Sequence, residues 1–126
     1  MKKYQLIGSK TSPYVRRLRL FMQPLSYEFK EVLIYEKTGA DYLKKINPIN
    51  KIPVLIESSG AHEKVIWDSR VIFNYLVQQE KLPKLNIDEE NYLSAIDGAL
   101  DTGVQLFLMK KNNVIIDSAN PFMQRH

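Results

Sequence analysis

A proline at the head of an apolar run constrains this chain more than any other single feature. Ile52-Pro53-Val54-Leu55-Ile56 reads as a strand. Proline, however, has no N–H to give a sheet ladder, so Pro53 marks a strand start or edge, a place where a cis bond is accessible. The run must therefore enter its sheet from a loop, and the turn-rich Asn47-Pro48-Ile49-Asn50-Lys51 supplies one. Upstream, Tyr4 to Ile7 is a short apolar strand ended by Gly8-Ser9-Lys10-Thr11. Ser12-Pro13 then opens a helix, with serine as N-cap and proline where no helical N–H is needed. Val15, Leu18, Phe21 and Met22 recur at helical spacing until Pro24. Tyr27 to Ile34 reads as a second strand, and Gly39 to Ile46 as a short helix with Tyr42, Leu43 and Ile46 on its apolar side.

Downstream of Pro53, Ser58-Ser59-Gly60 is a hairpin-type turn and Lys64 to Trp67 a returning strand. Asp68-Ser69 caps a further helix whose apolar face is Val71, Ile72, Tyr75 and Leu76. The order is βαβ, a short helix, then ββα. A right-handed crossover followed by a hairpin and a closing helix predicts an α/β fold: a four-stranded mixed sheet covered by helices, ending near Glu80. Lys81 to Asn86 is a polar linker. Asp88 to Lys111 then reads as one long helix carrying the stripe Leu93, Ile96, Leu100, Val104 and Phe107. The expected division is a domain over residues 1–80, a linker over 81–87 and a partial helical domain over 88–126. In that last stretch, an Asn-Pro near the end resembles the start of another helix.

Composition narrows the function. The 126 residues, 44% of them apolar and 25% charged, describe one globular domain with little room for a second. No apolar run approaches the ~20 residues of a bilayer span. The apolar stretch behind Lys2 and Lys3 is too short for a signal-peptide core, so the expected compartment is the cytoplasm. There is no cysteine, which excludes disulfides, zinc-cysteine sites and a catalytic thiol. His62 and His126 form no metal pair, and Trp67 reads as core. The net charge of +4 is scattered. Its densest group, Arg16, Arg17 and Arg19, lies on one helix with no stacking motif beside it, so it reads as structural or surface charge and nucleic-acid binding is set aside. A modest positive field also suits a small anionic ligand.

Taken together, LIGSKTSPYVRRLRL, NPINKIPVL and WDSRVIFNYL resemble a bacterial glutathione S-transferase. The likeness is to the thioredoxin-like N-terminal domain, close over residues 4–80 and looser over 86–126. It implies a glutathione-binding protein without a metal, in which the thiol arrives with the ligand. Ser12 is then the first candidate for the hydroxyl that stabilises the thiolate, and Ser9 the second. The N-cap role of Ser12 is compatible with this, since a cap uses the oxygen as acceptor. The resemblance further implies a cis Ile52-Pro53 bond, with the Ile52 backbone pairing with the cysteinyl amide like an added strand. Lys51 would reach a carboxylate of the tripeptide. Asp68 would take the γ-glutamyl ammonium, and Ser69, at a helix start, the γ-glutamyl carboxylate.

Two departures stand out. Relatives often have glycine where Asn50 stands, a mild change because asparagine tolerates left-handed backbone. Many also have glutamate where Asp68 stands, which keeps the charge with a shorter reach. The family continues into an all-helical domain of which this sequence carries only the first helix, so a truncated form of a longer enzyme is the expectation. The stripe on that helix predicts a homodimer or higher oligomer through residues 88–111. The expected function is conjugation of glutathione to an unidentified electrophile. The alternative is a non-catalytic regulatory or protein-interaction module on the same fold. A glutaredoxin-type oxidoreductase fails for want of cysteine.

Overall fold

The computed structural model describes residues 2–113, so the expected second-helix start after Asn120-Pro121 lies outside the described residues. Two compact units divide the chain, one of Met1–Pro83 and one beginning at Lys84.

The first unit runs β1 (Lys2–Gly8), α1 (Pro13–Phe21), β2 (Tyr27–Glu31), α2 (Lys37–Ile46), β3 (Val54–Ser59), β4 (His62–Trp67) and α3 (Ser69–Gln79). The sheet order is β2-β1-β3-β4, with β1 parallel to β2 and antiparallel to β3, and β3 antiparallel to β4. This is the thioredoxin-like arrangement that the motifs implied.

Residue alternation explains why both faces are covered. Along β1, Tyr4 and Leu6 point into one core with Leu55, Ile66, Val15, Leu18, Met22, Ile72 and Leu76. That core lies beneath α1 and α3, where Phe21 and Phe73 meet at a 4.7 Å ring separation. Ile7 points the other way, joining Val54, Ile56, Val32 and Leu43 beneath α2. The middle strand β3 is therefore buried from Val54 to Glu57, and its apolar run needs no polar face.

Several expected boundaries shift, and three of the shifts have a clear cause. β2 stops at Glu31 rather than Ile34, because its parallel partner β1 ends at Gly8, which stands opposite Glu31. One more backbone bond, Val32 N–H to Gly8 O at 2.9 Å, closes the pair before Leu33 turns outward. α2 begins two residues before Gly39. Gly39 is required there, since a Cβ would lie 2.1 Å from the Leu33 carbonyl oxygen. β4 begins at His62, closing a hairpin whose turn holds Gly60 at a φ of 60°. Two side chains also differ from expectation. Val71 is 52% exposed, while Phe73, on the other flank of the buried face of Ile72 and Leu76, packs against the core. Trp67 is 36% exposed rather than core.

The second unit contains α4 (Ile87–Lys111). Asn86 and Glu89 form a reciprocal capping box, Asp88, Glu89 and Glu90 favour the helix N-terminus, and Lys110 and Lys111 its C-terminus. Of the expected stripe, Leu93, Leu100 and Val104 are half-buried, while Ile96 and Phe107 are exposed.

Candidate functional site

Strand register gathers the predicted residues at one end of the sheet. Val54, the first residue of β3, stands opposite Ile7 near the end of β1 and opposite Trp67 at the end of β4. Whatever follows Ile7, precedes Val54 or follows Trp67 therefore emerges at the same edge. Those segments are Ser9 to Ser12, Lys51 to Pro53 and Asp68-Ser69, which include every residue singled out from the sequence.

At the first of them, Ser12 is the N-cap of α1, and its Oγ accepts the Val15 N–H at 3.4 Å. Accepting leaves the hydroxyl proton available to donate. Ser9 is placed differently. Its Oγ lies 2.8 Å from Thr11 Oγ1 and accepts the Thr11 N–H at 3.3 Å, so this hydroxyl is drawn into its own loop. The loop is tied down by Lys10 N–H to Glu31 Oε2 at 3.1 Å.

At the second, the Ile52-Pro53 bond is cis. Pro53 is buried, Ile52 packs against both cores, and its backbone precedes the first ladder pair of β3. Lys51 is exposed. Asn50 adopts the left-handed φ of 56° that its residue type tolerates.

At the third, Asp68 holds the N-cap of α3 at a φ of 77°. Its Oδ1 accepts from Arg70 N–H at 2.9 Å and Val71 N–H at 3.3 Å, so only one carboxylate oxygen is used by the cap. Ser69 follows as the first helical residue.

One residue expected to be structural or surface charge stands at this end of the sheet. Arg17, one turn into α1, donates from Nη2 to Ser69 Oγ at 3.3 Å. It brings a guanidinium to the Ser69 hydroxyl, the group expected from the family resemblance to receive a carboxylate. Arg19, by contrast, lies over the Phe29 ring at 4.3 Å and is structural.

Two of the phenols are committed elsewhere. Tyr4 donates to Glu80 Oε1 at 2.8 Å, and burial, then that bond, push its pKa well above the ordinary tyrosine value. Tyr75 donates to Glu57 Oε2 at 2.7 Å and is pushed up to about 12, by burial first and the Glu57 carboxylate second. Neither is a candidate for ionising a thiol. Among the described residues no group of acidic and histidine side chains could hold a metal, and no helix is long and apolar enough to cross a membrane.

The fold is that of a thioredoxin-like domain, and comparison with known proteins gives its family. The model of the glutathione S-transferase N-terminal domain matches residues 6–84, and the chain belongs to that family. The uncharacterized GST-like protein YibF of Escherichia coli K12 is 28% identical over 111 residues, which cover 79% of this chain and 52% of that protein. A glutathione S-transferase of Methylobacterium radiotolerans, solved with glutathione sulfonate, superposes at a TM-score of 0.74 and 24% identity over 98% of this chain and 59% of its own. One from Methylobacillus flagellatus with glutathione bound gives 0.73 and 24% over 97% of this chain and 59% of its own. The chain thus spans little more than half the length of these relatives.

Proposed function

We propose that this protein binds glutathione at the end of the sheet where Ile7, Val54 and Trp67 stand in register, and ionises its thiol for transfer to an electrophile. The observation that carries this is the convergence there of two helix N-caps, Ser12 and Asp68, with the unladdered Ile52 backbone.

Each part has a role set by its chemistry. The Ile52 N–H and C=O pair with the cysteinyl carbonyl and amide, so the peptide lies as a short added strand. Ser69 and Arg17 receive the γ-glutamyl carboxylate, with the start of α3 adding its partial positive charge. The carboxylate oxygen of Asp68 outside the cap takes the α-ammonium group. Lys51 is exposed on the loop that would flank the glycyl carboxylate.

This arrangement puts the thiol at the start of α1, within reach of Ser12. Its hydroxyl donates to the sulfur while its oxygen keeps the Val15 cap. A free thiol titrates near 8.5, and bringing it to about 7 takes roughly 2 kcal/mol of preference for the thiolate, within the combined range of one hydrogen bond to an anion and a helix N-terminus. The thiolate then attacks the electrophile, forming the carbon–sulfur bond as the leaving group departs or the electrophile takes up the charge.

In its active form the protein is cytoplasmic and pairs with a second copy through α4, where Ile96 and Phe107 are exposed. Light scattering that shows a monomer at tens of micromolar would remove that part of the reading. The binding part is tested by calorimetric titration with glutathione. Wild type should saturate below about 10 mM, and Ser12→Ala should bind comparably while raising the bound thiol's pKa. Saturation without conjugation of any electrophile would favour a binding module over an enzyme. Absence of binding up to about 10 mM would sink the glutathione reading.

A further inference from the structure

We infer that Asn47 is a positioning residue for glutathione: it sets the direction of the Ile52 N–H without touching the ligand. The inference rests on the proposed pairing of Ile52 with the cysteinyl carbonyl.

Asn47 is 1% exposed, a buried polar side chain at the C-cap of α2. Such a group is retained only if its hydrogen bonds are met, and both ends of this amide are used. Nδ2 donates to the Lys51 carbonyl at 2.6 Å, and Oδ1 accepts the Ile49 N–H at 3.0 Å. The Asn47 backbone carbonyl also accepts the Asn50 N–H at 3.0 Å, while its own N–H caps Leu43 of α2 at 2.9 Å. One residue thus closes the whole 47–51 loop onto the end of a helix.

The consequence for the site follows from peptide geometry. The Lys51 carbonyl and the Ile52 N–H belong to one peptide unit, which is trans, so they point in opposite directions. Holding the carbonyl inward on Asn47 turns the Ile52 N–H outward, away from the loop's interior. A free loop would sample other orientations of that plane and align the donor only part of the time. The bond to Nδ2 also polarises the peptide and strengthens its N–H as a donor.

The test is a cycle between the side chain and the ligand carbonyl. Wild type, Asn47→Asp and Asn47→Ala are titrated with γ-glutamylcysteinamide, which has the cysteinyl carbonyl but no glycyl carboxylate for Lys51. They are then titrated with γ-glutamylcysteamine, which lacks the carbonyl as well. The variants should weaken the first ligand about five- to tenfold and the second less than about twofold. Equal losses for both ligands, or none for either, would overturn the assignment. Should neither variant fold, the wild-type amide spectrum decides. Added glutathione should move the Ile52 amide proton as well as that of Ser69. Movement at Ser69 alone would overturn the role of Asn47 and spare the site; movement at neither would overturn the glutathione reading and this inference together.

Discussion

The two ends of the sheet are built from similar residues and differ in what those residues face. At one end Tyr4 donates to Glu80, Tyr75 donates to Glu57, Lys64 lies over the Tyr75 ring at 5.5 Å, and Lys2 reaches Gln79. Charges and hydroxyls there satisfy one another. At the other end the polar groups are helix caps and a strand start: Ser12, Asp68, Ser69 and Ile52. A cap uses one face of its side chain on the backbone and keeps the other for something else. The helix α3 joins the two, with Ser69 at the open end and its C-cap Glu80 at the closed one. The difference teaches that the two ends are told apart by residual hydrogen-bonding capacity, not by polar composition.

The sharpest way to break the open end is to disturb the glycines that shape it. Gly39→Ala should cost about 3 kcal/mol or more in chemical denaturation, because the Leu33 carbonyl oxygen that its Cβ would meet at 2.1 Å belongs to the backbone. Gly8→Ala, whose Cβ would meet a Val15 methyl at 2.5 Å, should cost about 1–3 kcal/mol, since a side chain can shift.

Asp68→Asn separates binding from stability. Asparagine still caps a helix and tolerates a positive φ, so the unfolding free energy should change by only about 0.5 kcal/mol or less. Glutathione affinity should nevertheless fall about tenfold, read by calorimetry, because the ammonium loses its counter-charge. A loss of stability without loss of affinity would reverse the functional contrast between the two ends.

Tyr75→Phe probes the closed end. The native phenol titrates near 12 and the unfolded one near 10, so the native state binds the proton more tightly. Its contribution is complete below pH 10 and is lost as pH rises towards 12, the sign required when the unfolded state binds fewer protons. The wild type should lose about 1–2 kcal/mol more than Tyr75→Phe over that window, discounted for the partial exposure of the ring, and glutathione affinity at neutral pH should be unmoved. The smallest effect belongs to Ser9→Ala, expected within about 0.5 kcal/mol in stability and twofold in affinity, as its hydroxyl serves the 9–11 loop.

Much of this was legible in the sequence. Pro53 at the head of an apolar run, Ser12-Pro13 and Asp68-Ser69 located a strand start and two helix starts, because capping and proline rules act over a few residues. The register that gathers them was not legible, since it depends on which strands pair. Arg17 was missed because its partner lies 52 residues away, on another helix. Asn47 carried a readable signal, an Asx turn before proline at a helix end, but its burial follows only from the packing of α2 under the sheet. Val71 fell outside the core and Phe73 packed against it because three- and four-residue spacing does not fix where a core ends around a helix.

The central claim is that the cap-lined end, not the closed end, takes glutathione. Amide chemical-shift mapping of wild type during glutathione titration tests it directly. The account predicts saturable shifts concentrated at Ser12 to Val15, Ile52 and Ser69 to Val71, with Tyr4, Glu57 and Tyr75 nearly still. Shifts centred on Tyr4, Glu57 and Tyr75, or none up to about 10 mM glutathione, would contradict it.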